Sequence, residues 1–209
     1  AGGLRHRTSA RSGGRMITEP RSTDTGRVKA VPGQPDMWLF VLFEALIFTA
    51  YFSVYLFYRA QNPELFLQSQ QHLNLGVGIF NTIVLLSSSW SVARCVDAAR
   101  AGAYRQALRD AYLTMFFGVV FVVSKMFEWA HQIGLGHTIS SDDFFTYYFF
   151  LTGIHGLHVL IGFVVLGVAV YQISGPRRRS QQLVETCATY WHTVDFLWVL
   201  IFAMLYVVR

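Results

Sequence analysis

Charged residues are scarce in this chain. Asp, Glu, Lys and Arg make up 14% of its 209 residues, whereas they make up about 25% of an average soluble domain. Cysteine is scarcer still, because only Cys95 and Cys187 are present and their separation rules out a Cys-x-x-Cys metal site. Both cysteines also fall near the face predicted below to be cytoplasmic, where disulfides are rare. These shortages argue against an ordinary soluble domain, a disulfide framework and a cysteine-based metal centre.

Apolar residues take the place of the missing charge. They make up 53% of the chain, and its mean hydropathy is +0.38. A helix of about 20 apolar residues is long enough to cross a bilayer, and the sequence contains five such runs, none of them with a proline. We therefore predict an all-α, integral membrane bundle of five transmembrane helices in residues 32–209. The spans are predicted at about 37–58, 73–93, 111–133, 144–173 and 188–208, after a basic tail over residues 1–31 that we expect to be disordered.

The basic residues mark one side of this predicted topology. Of the 17 Lys and Arg residues, 14 fall on the side of the N-terminus: seven before residue 30, four around the loop after the second span and three after the fourth span. The positive-inside rule therefore predicts a cytoplasmic N-terminus and an external C-terminus. Because the net charge of +5 is explained as a topology signal, we expect no binding to nucleic acid.

Seven Asp, Glu, Lys and His side chains nevertheless lie well inside the predicted spans, more than one helical turn from either end. A charged side chain at the centre of a bilayer costs about 2.5–3.5 kcal/mol on insertion scales, so such residues usually face a partner or a cavity. We expect most of the seven to form a structural or lipid-facing polar network. They are Glu44, Lys125, Glu128, His155, His158, His192 and Asp195.

Two pairs among them have the i, i+3 spacing that places both side chains on one face of a helix. Lys125 and Glu128 are expected to form a structural ion pair. His192 and Asp195 match the pattern of a carboxylate that orients an imidazole. For this second pair we favour a plainer interpretation, in which the two groups neutralise each other so that both stay buried.

His155 and His158 have the same i, i+3 spacing. It suits a metal or haem ligand pair, or a proton relay. It equally suits hydrogen bonds between helices, with Gly153 and Gly156 allowing a neighbouring helix to approach closely. No cysteine or dense histidine cluster accompanies the pair, so we favour the hydrogen-bonded packing face.

Glu44 differs from the other six because no cationic side chain lies within one turn of it on its own helix. By the rise of 1.5 Å per residue it lies about 6 Å from the middle of its span, on the inner side. Two interpretations stay open: a functional acid, or a carboxyl group hydrogen-bonded to another helix. Glu44 is our only candidate for a functional buried carboxylate, and we assign no catalytic residue and no metal ligand.

Three segments resemble the motifs of one family, subunit III of the haem-copper oxidases. Residues 148–159 read YFFLTGIHGLHV, residues 190–198 read YWHTVDFLW, and residues 125–129 contain the pattern K-x-x-E-W. The motifs follow one another in the family's order, and the resemblance covers about residues 32–209. A five-helix chain is similar to the short bacterial form of cytochrome c oxidase subunit III, which lacks the two extra N-terminal helices of the longer form.

The resemblance implies a respiratory-chain subunit of the bacterial inner membrane that carries no cofactor of its own. Haem and copper are expected in its partner, the catalytic subunit I, and subunit II is a further candidate partner. The family resemblance also implies bound phospholipid in a cleft, support for proton uptake and protection of subunit I during turnover. Glu44 resembles the family's carbodiimide-reactive carboxylate. The residues themselves also argue against a cofactor, since the three histidines well inside the spans are too few for a binuclear haem-copper centre.

Two alternatives to an oxidase subunit stay open. The segments PGQPDMW at residues 32–38 and NPELF at residues 62–66 resemble relatives associated with nitric oxide reductase, which suggests an accessory protein of that enzyme. A small proton-coupled transporter, using Glu44 and the histidines, is an alternative of another class. It requires a polar cavity and discontinuous helices.

Overall fold

The computed structural model describes residues 35–175 and 179–208, and no strand occurs in that part of the chain. Five of its helices are long and apolar enough to cross a membrane, which confirms the predicted all-α bundle with five spans. The tail predicted over residues 1–31 lies outside the described residues. The elements are α1 (Pro35–Gln61), α2 (Pro63–Gln70), α3 (Leu75–Arg100), α4 (Tyr104–Gly134), α5 (Asp143–Ser174), α6 (Gln181–Phe202) and a closing π-helical turn (Ala203–Val207).

The short helix α2 lies where the sequence predicts a loop between the first two spans. Pro63 begins it, which suits proline because its fixed φ fits the first helical turn and its missing N–H needs no partner there. Phe66 is fully buried and packs edge-to-face against Tyr55 and Phe144. Phe66 therefore anchors α2 to the bundle together with hydrogen bonds from two other buried side chains of this helix. A helix of eight residues is too short to show a clear apolar period.

The helices extend beyond the predicted spans. α4 begins at Tyr104 and α6 at Gln181, each seven residues before its predicted span (104 against 111, and 181 against 188). The predicted bounds followed the apolar run, whereas the helices continue through the polar residues next to it. Asn74, Asp142 and Ser180 cap the starts of α3, α5 and α6 by accepting hydrogen bonds from backbone N–H groups, which satisfies donors that a helix start otherwise leaves unpaired.

Helix α6 is the centre of the bundle. It packs against α3 and α5 along most of its length and also touches α1. Half of the residues in the most apolar stretch of its span are buried, compared with 17% of those in α1. Helix α4 completes the bundle between α3 and α5. Helix α1 is thus peripheral, and most of its side chains face outward.

Two glycines make room for Trp191, the largest buried side chain of α6. A Cβ atom at Gly118 on α4 would lie 3.0 Å from the indole ring, and one at Gly162 on α5 would lie 2.7 Å from it. Both distances are shorter than ordinary van der Waals contact. On the α3 side, the indole Nε1 donates a hydrogen bond to Ser88 Oγ at 2.9 Å. Four helices therefore meet around one fully buried ring.

Candidate functional site within the helix bundle

Lys125 lies at the centre of a buried polar cluster. Its Nζ donates hydrogen bonds to Glu128 Oε2 at 2.9 Å, to Tyr206 OH at 3.0 Å and to Tyr148 OH at 3.3 Å. An ammonium group has three protons to donate, so these bonds use all of them. The predicted ion pair between Lys125 and Glu128 is confirmed.

The two tyrosines of this cluster come from other elements than α4. Tyr206, in the π-helical turn, donates its hydroxyl to the second carboxyl oxygen of Glu128. The ring centres of Tyr148 on α5 and Trp198 on α6 lie 4.9 Å and 5.2 Å from Lys125 Nζ, which is within cation–π range. The i, i+3 spacing could not reveal these partners, because they lie far along the chain. The cluster fastens α4 to α5 and to the C-terminal end of the bundle.

Glu44 has a partner on another helix. Its Oε2 lies 3.2 Å from His158 Nε2, and the two side chains are only 13% and 17% exposed. The sequence left two interpretations of Glu44 open. The structure shows the contact with another helix, between α1 and α5, that the second of them requires. Glu44 therefore does not stand alone, and His158 pairs with it rather than with His155.

The second ring nitrogen of His158 fixes how protons are arranged in this pair. Nδ1 lies 2.8 Å from the carbonyl oxygen of Ile154. A carbonyl can only accept, so Nδ1 carries a proton. A hydrogen bond between His158 Nε2 and the Glu44 carboxyl group requires one further proton, either on the carboxyl group or on the imidazole. With that proton, the pair has no net charge in either form.

His155 does not form the predicted hydrogen bond between helices. It is fully buried, and neither ring nitrogen has a hydrogen-bond partner among the described residues. Its ring centre lies 5.6 Å from that of Phe121 and 5.4 Å from that of Trp198. The prediction is wrong because the sequence showed which side chains share a helix face but not that aromatic rings cover this one.

Gly153 and Gly156 do not form the predicted packing face either. A Cβ atom at Gly156 would meet no atom within 4 Å, and one at Gly153 would only touch Trp129 at 3.4 Å. The two glycines line an open groove of about 400 Å³ between α4 and α5, whose wall also includes Lys125 and Leu160. Here the missing side chains leave a space instead of bringing two helices together.

His192 and Asp195 form no ion pair in the described part of the chain. His192 Nδ1 lies 2.6 Å from Ser89 Oγ on α3. Ser89 also lies beside the carboxyl group of Asp195, but its close hydrogen bond is the one to His192. Neither carboxyl oxygen has a partner with hydrogen-bond geometry among the described residues. The predicted mutual neutralisation is therefore wrong, since an i, i+3 spacing permits a contact without requiring one.

Asp110 is a buried carboxylate that the sequence analysis missed. It is 1% exposed, and its oxygens lie 3.5 Å from Arg94 Nη2 and 3.4 Å from Arg109 Nη2. The residue precedes the apolar run of the third span and was therefore assigned to a loop, although α4 already begins at Tyr104. The sequence pattern that could have identified Asp110 is a lone acidic residue between nearby arginines at the edge of a predicted span.

The geometry defines a class of protein. Within the described ranges, no three His, Cys, Asp or Glu side chains come together as ligands for a metal ion. The donor set therefore does not fit a metal centre with three or more protein ligands, and most buried polar groups connect one helix to another. This is a multi-pass membrane bundle in which polar contacts fasten the helices.

Comparison with known proteins gives the family. A sequence model of cytochrome c oxidase subunit III matches residues 28–208, so the chain belongs to the cytochrome c oxidase subunit III family, as the motifs predicted. Cytochrome c oxidase subunit 3 of Synechocystis sp. is 31% identical over 91% of this chain and 84% of its own length. The probable cytochrome c oxidase subunit 3 of Nocardia farcinica is 29% identical over 92% of this chain and 98% of its own length. The heme-copper oxidase subunit I+III of Aeropyrum pernix is 28% identical over 82% of this chain, which corresponds to 22% of that protein.

Proposed function

We propose that this chain is the non-catalytic subunit III of an oxygen-reducing haem-copper terminal oxidase in the bacterial inner membrane, with its N-terminus in the cytoplasm. The observation that carries the proposal is the family match over residues 28–208, nearly the whole chain. In this proposal haem and copper are held by the partner, as the resemblance of the motifs implies. Relatives named cytochrome c oxidase subunit 3 favour oxygen over nitric oxide as the substrate of the complex.

The direct partner in this proposal is the catalytic subunit I, with subunit II as a further neighbour. The name of the Aeropyrum pernix relative joins subunits I and III in one protein, which supports a contact between the two. A bundle fastened by the buried Lys125 cluster is suited to this supporting role, because it holds its shape without a cofactor.

Phospholipid is the second proposed ligand. The groove between α4 and α5 has a volume of about 400 Å³ and is lined mainly by apolar side chains, Met126, Leu157 and Leu160 among them. Its volume and its apolar lining suit an acyl chain. Bound lipid there would bury apolar surface without meeting an unpaired polar group, since Lys125 on its wall already has three partners.

Support for proton uptake is assigned to the pair of Glu44 and His158. When the two groups share one proton, the pair can hold it at either atom without placing a net charge in the bilayer. The transporter alternative finds no such support, since each of the five described spans is a continuous helix where that mechanism requires broken ones.

Oxygen and nitric oxide consumption in a strain lacking this chain separate the two enzyme classes. We expect membranes of the deletion strain to keep the haem absorbance of the catalytic subunit and to consume oxygen at first, with a rate that decays faster during turnover. Nitric oxide consumption should equal that of the parent strain. Loss of nitric oxide consumption with a stable oxygen rate would assign the chain to nitric oxide reductase instead.

A further inference from the structure

The surface of the bundle has a half-buried polar patch on α3 and α6 near the middle of the spans. Thr189, His192 and Thr193 on α6 are half-buried, and Ser89 of α3 lies beside them as the partner of His192. Phe196 continues the same helix face and is 62% exposed. The i, i+3, i+4 and i+7 spacing of the four α6 residues places them on one side of the helix. We call Ser89, Thr189, His192 and Thr193 the polar face.

The exposed surfaces of α4 and α5 at this depth are apolar. The exposed side chains in the middle of α5 are Leu157, Leu160, Ile161 and Val164, each more than half exposed. On α4, Phe116 and Val119 face outward in the same way. Such surfaces suit hydrocarbon, whereas polar side chains in a membrane are concentrated where one helix meets another.

The polar face also has hydrogen-bonding capacity that this chain does not use. His192 is bonded through Nδ1 to Ser89, and no contact in the described ranges engages its Nε2. Hydrocarbon offers neither donors nor acceptors, so a second protein segment suits this surface better than lipid does.

We propose that the polar face is the docking surface for a transmembrane helix of the haem-bearing catalytic subunit, one that presents hydrogen-bonding side chains at the depth of His192. The proposal rests on the proposed function, which supplies a membrane partner. The choice of a polar helix follows from complementarity, because the second imidazole nitrogen of His192 needs a donor or an acceptor opposite it. Helix α6 is also the helix through which a contact would reach most of the bundle, since it packs against α3 and α5.

Photo-crosslinking tests this assignment with a matched control. A benzophenone analogue of phenylalanine is placed at Phe196, beside the polar face, or at Phe116 on the apolar face of α4. The two side chains are 62% and 60% exposed, and both positions already hold a phenyl ring, so the bundle should fold with either. The tagged complex is irradiated in native membranes and then purified, and the products are identified by mass spectrometry.

We expect position 196 to crosslink to the haem-bearing subunit at least tenfold more than position 116 does. The reverse ratio, or equal low yields while the haem-bearing subunit still co-purifies, would overturn the docking surface and leave the proposed function standing. Crosslinks from position 196 to lipid or to a second copy of this chain would also overturn it. Absence of any haem-bearing subunit from preparations of the unsubstituted chain would instead refute the proposed function, and the docking surface with it.

Discussion

At the residue scale, the most informative contact joins Glu44 to His158. The sequence singled out Glu44 because its own helix offers no cation, but it could not name the partner, which lies on α5. It also placed His158 with His155, since helix spacing reports only a shared face. The structure separates the two histidines: one ring meets a carboxyl group, and the other is covered by aromatic rings. Pairings within a helix were partly predictable, whereas pairings between helices depend on how the helices pack.

Replacing Glu44 by Gln should remove the shared proton and keep the contact. A glutamine amide can still donate to His158 Nε2, so we expect normal assembly together with a changed carbodiimide labelling or a shorter turnover lifetime of the oxidase. Glu64→Gln, in the exposed first turn of α2, is the matched control and should change neither property. Unchanged labelling and lifetime in Glu44→Gln would remove the basis for a special role of this carboxyl group.

Replacing Lys125 by Met should destabilise the bundle strongly. The change leaves the buried Glu128 carboxylate without its cation, a loss that costs about 3–5 kcal/mol for buried pairs. The double variant Lys125→Met with Glu128→Leu should regain most of that stability, because both charged groups are then gone. Thermal unfolding of the purified complex in detergent measures the difference, and a single variant as stable as the double one would contradict the assigned pairing.

At the scale of the helices, packing is decided by what lies opposite a glycine. The sequence pointed to Gly153 and Gly156, which border an open groove, and gave no weight to Gly118 and Gly162, which touch Trp191. Glycine spacing alone does not tell which face of a helix meets a bulky neighbour. Helix α2 was missed for a related reason, since its position depends on the contacts of a few single side chains rather than on a repeating pattern.

A pair of alanine substitutions on α5 tests this packing. Gly162→Ala places a Cβ atom 2.7 Å from the Trp191 ring and should cost about 1–3 kcal/mol, as overpacking of a core usually does. Gly156→Ala enters open space and should be neutral, or stabilising by up to about 1 kcal/mol from the better helix propensity of alanine. Melting temperatures of both variants give the comparison. Equal effects would show that the α5–α6 contact around Trp191 is looser than described.

At the scale of the whole molecule, the five spans, the helical class and the family were all predictable, because long apolar runs and ordered motifs are local signals. The sequence could not show which parts of the surface contact lipid and which contact another subunit. Whether an exposed side chain faces lipid or another subunit depends on its neighbours in space, as the contrast between the polar face and the apolar middle of α5 shows. The proposed docking surface belongs to this scale, since it appears only when α3 and α6 are seen side by side.

Purification of the tagged chain from its native membranes in a mild detergent tests the central claim most directly. We predict that a haem-bearing subunit co-purifies in an amount equal to that of the tagged chain. When a harsher detergent separates the two, the haem absorbance should be found with the haem-bearing subunit. The isolated chain should then show no haem band. Haem retained in stoichiometric amount by the isolated chain, or a preparation in which no haem-bearing subunit accompanies it, would contradict the account.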